Sequence, residues 1–149
     1  MKAIAKNICQ VLLLISPLLT SLGHAADDNR KLVEFPDMMK NHMMANMRDH
    51  LVSLTEIQQT IATGEYEKAA DIAEKRLGLS SLDDHGAAHM AQMMPKEMQE
   101  IGTGMHKAAS KFALSIEEAG ASGDIKPALG DLAVLMQQCV SCHSAYRVH

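Results

Sequence analysis

The stretch DIKPALGDLAVLMQQCVSCHSAYR, Asp124 to Arg147, sets the character of the whole chain. Its apolar residues fall at Ile125, Leu129, Leu132, Leu135 or Met136, then Cys139 and Cys142 or His143. Steps of three and four put them along one face of a helix. Asp124 can cap that helix, and GASG, Gly120 to Gly123, makes the turn before it.

The same period recurs upstream. Pro36 and Asp37 suit a helix start, and Met43 or Met44, Met47, Leu51, Leu54, Ile57 or Gln58 and Ile61 predict a long helix to about Thr63, stopped by Gly64. A second helix is expected from about Glu65 to Leu77, with Ala69, Ile72, Ala73 and Leu77 inward and Gly78 as its stop. Leu79 to Met94 is irregular, with a short helical turn around Ala87 to Met93. Pro95 opens a third long helix to about Ala119, with Met98, Ile101, Met105, Ala109, Phe112 and Ile116 inward. Gly102 and Gly104 interrupt it at a cost of about 1 kcal/mol each relative to alanine. Either something bulky approaches the backbone there or the helix is locally soft. With no alternating β-branched run, the predicted fold is all-α, an antiparallel four-helix bundle. A homodimer through the first helices is compatible with this layout.

Composition narrows the function. A chain of 149 residues suits one domain. With 2 Phe, 2 Tyr and no Trp, an aromatic carbohydrate groove or a base-stacking platform is poorly supported. A net charge of -4 argues against nucleic-acid binding.

The first 25 residues read as a cleaved secretory signal: Lys2 and Lys6, then VLLLISPLLTSLG broken by Pro17, then Gly23 and Ala25 at the positions a signal peptidase reads. The apolar run is too short and interrupted for a comfortable membrane anchor. Residues 26–149 then form the domain, with 12 basic residues against 18 acidic, a charge of -6. No membrane insertion is expected, and the compartment implied is the periplasm of a Gram-negative-type bacterium. Cys9 leaves with the signal, so only Cys139 and Cys142 stay.

A disulfide between residues three apart on a helix closes almost no loop and gains little. CVSCH, Cys139 to His143, instead carries the C-x-x-C-H pattern of c-type haem attachment. The thiols add to the two haem vinyl groups, and the next histidine lies beneath the iron. A thioredoxin-like pair would sit at a helix start after a strand, and structural zinc wants four ligands. Haem c, one and covalent, is the expected cofactor.

The run CVSCHSAYR resembles the C-terminal signature of the cytochrome c-prime family, including its low-spin c-556 members. The layout of the mature chain is similar throughout, the sequence closely so only over its last residues. The resemblance implies Cys139 and Cys142 as thioether anchors, His143 as proximal ligand, Arg147 as a cation beside it and Tyr146 as a pocket-side aromatic. In that family the residue over the other haem face lies about sixteen positions before the glycine ending the first helix. Counting back from Gly64 reaches Arg48, beside Met47, with Met44 one turn earlier. A buried arginine is expensive, so Met47 or Met44 is the expected sixth ligand. His42, His50 and His106 are weaker candidates. The family's arginine four residues before this position has no counterpart, although Lys40 stands four before Met44.

The function expected is one-electron transfer with no enzymatic constellation, toward a redox partner protein that offers a basic docking patch. One alternative is a five-coordinate iron that binds a diatomic gas, nitric oxide or carbon monoxide, with the methionines as core packing. Another is copper handling by the dense Met and His residues, including His85 and His89 four apart.

Overall fold

Two prolines begin the two longest helices in the same way. Pro36 (φ -54°, ψ 146°) and Pro95 (φ -54°, ψ 147°) each hold an extended N-cap position, where a missing N–H costs nothing. The structure is a computed structural model and describes residues 27–148. The expected signal, residues 1–25, lies outside the described residues.

The elements run β1 (Lys31–Val33), α1 (Asp37–Ala62), α2 (Tyr66–Arg76), a 3-10 turn (Leu79–Ser81), α3 (Ala87–Ala91), α4 (Lys96–Ser122), α5 (Lys126–Ala145) and β2 (Tyr146–Val148). The expectation of a purely helical four-helix bundle is therefore corrected. Among the described residues there are five α-helices, and β1 pairs with β2 in a parallel two-stranded sheet. The extra helix arises because Gly86, at φ 60°, turns the chain so that Ala87–Ala91 closes a short helix and buries Met90. The sheet arises because the chain turns extended at Tyr146 (φ -128°, ψ 150°), ending α5 before Arg147.

Alanine governs the packing. α2 buries Ala69, Ala70 and Ala73, and α4 buries Ala108, Ala109, Ala113 and Ala119. Small side chains let backbones approach, and α4 packs against both α2 and α5. Phe112, Ile116, Leu77, Leu135 and Ile57 fill the space between. Gly123, at φ 76°, ends α4 in the left-handed conformation with its N–H donating to the Ala119 carbonyl at 2.9 Å.

The inward face of α1 differs from the apolar line expected. Met39, Met43, His50, Ser53, Ile57 and Thr60 are buried, whereas Leu51 is 66% exposed. Ser53 donates to the Asp49 carbonyl (2.8 Å) and Thr60 to the Glu56 carbonyl (2.9 Å), so each hydroxyl is satisfied by its own helix. Arg76 of α2 pairs with Asp49 and Glu56 of α1, which fixes that rotation. On α5 the outcome is mixed: Leu132 and Leu135 are buried, but Leu129 and Met136 face outward.

The β1–β2 register is Lys31 with Tyr146, Leu32 with Arg147 and Val33 with Val148. Val33 is 4% exposed and belongs to a methionine-rich cluster with Met39, Met43, Met90 and Met98. Replacing Val33 by Asp buries an unpaired carboxylate there, with an expected loss of about 2–4 kcal/mol. Denaturant unfolding should show this loss, and hydrogen exchange should show faster opening of the last turn of α5. A variant as stable as the parent, with unchanged exchange, would refute a structural role for the strand.

Candidate functional site

On α5, Cys139, Cys142 and His143 lie within one helical turn, at spacings of three and four that bring them to one side. Cys142 and His143 open onto a cavity of about 290 Å³. α1 contributes Met43, Met44 and Met47 to its wall, Met94 comes from the segment before α4, and α4 adds Met98 and Gly102. Tyr146, Arg147 and Val148 of β2 and Arg30 before β1 complete it. The exposed surface inside is mostly carbon and sulfur.

Cys139 does not line this cavity; its Sγ donates weakly to the Leu135 carbonyl at 3.9 Å. Burial pushes both thiols above their usual range, and Cys139 adds to the effect on Cys142. The last turn of a helix also disfavours negative charge. Both are thus held as neutral thiols, the opposite of the activated thiolate that a redox or zinc-binding pair needs. Among the described residues no three His, Cys, Asp or Glu side chains are grouped to hold a metal ion, so CVSC has no further ligands for zinc.

The two methionines expected from the sequence, Met44 and Met47, share this wall with His143, Tyr146 and Arg147. Arg48 is exposed and is not part of the lining. The sequence reading missed Met43, Met94 and Arg30 as wall residues. The methionine density was visible, but the turn that brings Met94 round was not. Of the two readings of the helix glycines, a bulky approach or local softness, neither is decided at Gly102, where a side chain would point into open space. Gly104 differs: a β-carbon there would come within 3.0 Å of the Gln138 side chain, so it marks close helix packing.

Two arginines stand at the rim. Arg30 donates to the His143 carbonyl at 3.3 Å, satisfying one free carbonyl at the end of α5. Arg147 Nε is buried with no hydrogen-bond partner among the described residues and pairs only loosely with Asp28 Oδ2, at 3.7 Å. A cationic N–H without a hydrogen bond beside an apolar cavity suits a ligand that carries carboxylates. The apolar wall, the open space at Gly102 and this donor together suit a largely apolar ligand that carries carboxylates.

The weaker distal candidates lie elsewhere. His50 of α1 and His106 of α4 are both buried, with His85, from the segment before α3, next to each. Ring centroids are 4.9 Å apart for His50 and His85 and 5.4 Å for His85 and His106. His42 donates from Nε2 to the His85 carbonyl at 2.9 Å, tying that segment to α1. His85 precedes Gly86 and His89 sits in α3, so they do not share a regular helical face.

A scan against protein-family models gave no match, and neither the curated proteins nor the solved structures gave one. No helix among the described residues is long and apolar enough to cross a membrane.

Burial, with the neighbouring His85 and His106, pushes His50 from 6.5 down to about 4. The unfolded chain takes up this proton near pH 6.5 and the folded chain only near 4, so between them the unfolded state binds more protons. Stability therefore falls as pH drops through that window and levels off below it. With a chelator present, the parent should lose up to about 3 kcal/mol more than His50→Gln between pH 7 and 4. Parallel curves by urea unfolding would exclude a neutral buried His50.

Proposed function

We propose that this chain is an exported c-type cytochrome, akin to the cytochrome c-prime and c-556 proteins that its C-terminal run resembles, and that it passes single electrons. The observation that carries this reading is CVSCH on the final turns of α5, with Cys142 and His143 facing a sulfur-walled cavity. Haem c, when bound, supplies an iron couple that changes by one electron.

The chain's own residues have distinct tasks. Cys139 and Cys142 would hold the group by thioether bonds to its two vinyl groups. His143 would offer an imidazole nitrogen to its iron, and Met44 or Met47 of α1 would offer a thioether. Thioether ligation raises a haem potential. The methionine wall keeps water away, and Arg147 adds positive charge that favours the reduced state. With 12 basic residues against 18 acidic outside the signal, a redox partner with a basic patch is the complementary surface, met in the periplasm.

Absorption and resonance Raman spectra of the purified chain test the reading. Six-coordinate low-spin iron in both oxidation states is expected, with little carbon monoxide binding. Met44→Ala or Met47→Ala, one and not both, should convert the iron to five-coordinate high-spin, and His143→Ala should keep covalent haem while altering the ferric spectrum. A parent already five-coordinate and avid for carbon monoxide moves the function to gas binding, and a chain without covalent haem ends the proposal.

Gly102 offers a check on the cavity itself. Gly102→Phe should lower haem content severalfold while the helical circular dichroism of the chain is retained. Full loading would show that the open space at Gly102 is not used.

A further inference from the structure

We propose that the groove between α2 and α4 docks a basic amphipathic helix of a partner protein. The groove has a volume of about 810 Å³ and shares no residue with the methionine cavity. Its role is independent of the haem reading.

The shape of the groove follows from the alanine packing. Ala70 of α2 and Ala113 of α4 are buried and form its floor. Side chains that short leave the space above them unfilled, so an apolar trough stays open between the helices. Leu114, 64% exposed, and Leu79 of the 3-10 turn, 43% exposed, stand in its wall. α1 packs on α2 and α5 on α4, and the 3-10 turn packs on both and closes one end. No α-helix among the described residues packs over α2 and α4 together.

The rim decides the occupant. Glu67, Asp71 and Glu74 follow at steps of four and three along one edge of α2, and Glu117 adds a fourth carboxylate from α4. The lining has one cation, Lys68, and that pairs with Glu65, outside the lining, at 3.3 Å. Asp71 is paired with Lys75 at 2.6 Å, whereas Glu67 and Glu117 have no ion pair among the described residues. The run from Glu67 to Glu74 rises about 10 Å, two turns of helix. A helix laid along it has the same period, so lysines or arginines at steps of three and four meet the carboxylates in register. Aliphatic side chains on its adjoining face reach Leu79 and Leu114. A second copy of this chain offers no such helix. Basic residues number two against three acidic in α1, three against three in α2, three against four in α4 and one against one in α5. The negative rim also repels an anionic lipid surface.

The test uses the purified full domain with whatever haem it carries. The probe is a synthetic peptide of about 14 residues, capped at both ends, with leucines along one helical face and lysines on the rest. A control peptide has the same composition in an order that forms no apolar face. At about 20 mM salt, fluorescence anisotropy should give one-to-one binding below about 100 µM, at least about tenfold weaker for the control peptide and at about 200 mM salt. Amide shifts on binding should fall on α2 and the second half of α4. Glu67→Gln together with Glu117→Gln, and separately Leu114→Gln, should each weaken binding at least about fivefold. All three positions are exposed, so the thermal midpoint should not change. Glu97→Gln with Glu100→Gln removes the same charge at exposed positions outside the groove and should bind as the parent does. Equal binding of the two peptides, affinity weaker than about 1 mM, shifts centred elsewhere, or full binding by the groove variants overturns the proposal. So does a dimer in sedimentation that Leu114→Gln separates, which assigns the groove to a second copy.

Discussion

Alanine on the facing sides of α2 and α4 lets α4 stand in the middle of the molecule, packed against α2 and α5. Most of the architecture follows from that contact. α5 has its inner side committed to α4 through Ala128, Leu132 and Leu135, and α1 takes its main packing from α2. At the CVSCH end, side chains of α1 and α5 therefore meet across a space. That space is closed by long flexible sulfur side chains and by a pair of short strands.

The buried residues divide into two apolar clusters. One is aliphatic and aromatic, around Phe112, Ile116, Leu77 and Ile57. The other is built from Met39, Met43, Met90, Met98 and Val33, with Cys142 and Tyr146 packed against it. On α1, His50 lies in sequence between Met43 of one cluster and Ile57 of the other. Methionine adapts its shape at low cost, whereas imidazole demands specific partners. The methionine end can accommodate a guest, while the histidines hold three segments of chain to one another through Leu77, Gly78 and His85 carbonyls.

The long helices were legible from sequence because their periods are strong and their ends carry proline or glycine: Pro36, Pro95, Gly64 and Gly123. The inner face of α1 was harder. His50, Ser53 and Thr60 lie inward with their polarity absorbed locally or by neighbours, and a reading that searches for apolar residues passes over them in favour of Leu51. Strands of three residues have no period to detect, so the sheet was invisible, and with it the fifth helix's end at Ala145. At the candidate site, the motif on α5 could be named from spacing, and Met44 and Met47 of α1 from what the family resemblance implies. Arg30 and Met94 could not, because their positions depend on the sheet and on the turn at Gly86.

The strand pair has a consequence for the order of folding. Lys31 and Tyr146 are 115 residues apart, so their pairing closes nearly the whole described chain into a loop. Such a closure carries a large entropy cost and is favoured only once the helices between have packed. Until then the end of α5 that carries Cys139, Cys142 and His143 is not yet held beside β1, although the helices between can already be in place. The strands thus act as a latch that closes late on that end of α5.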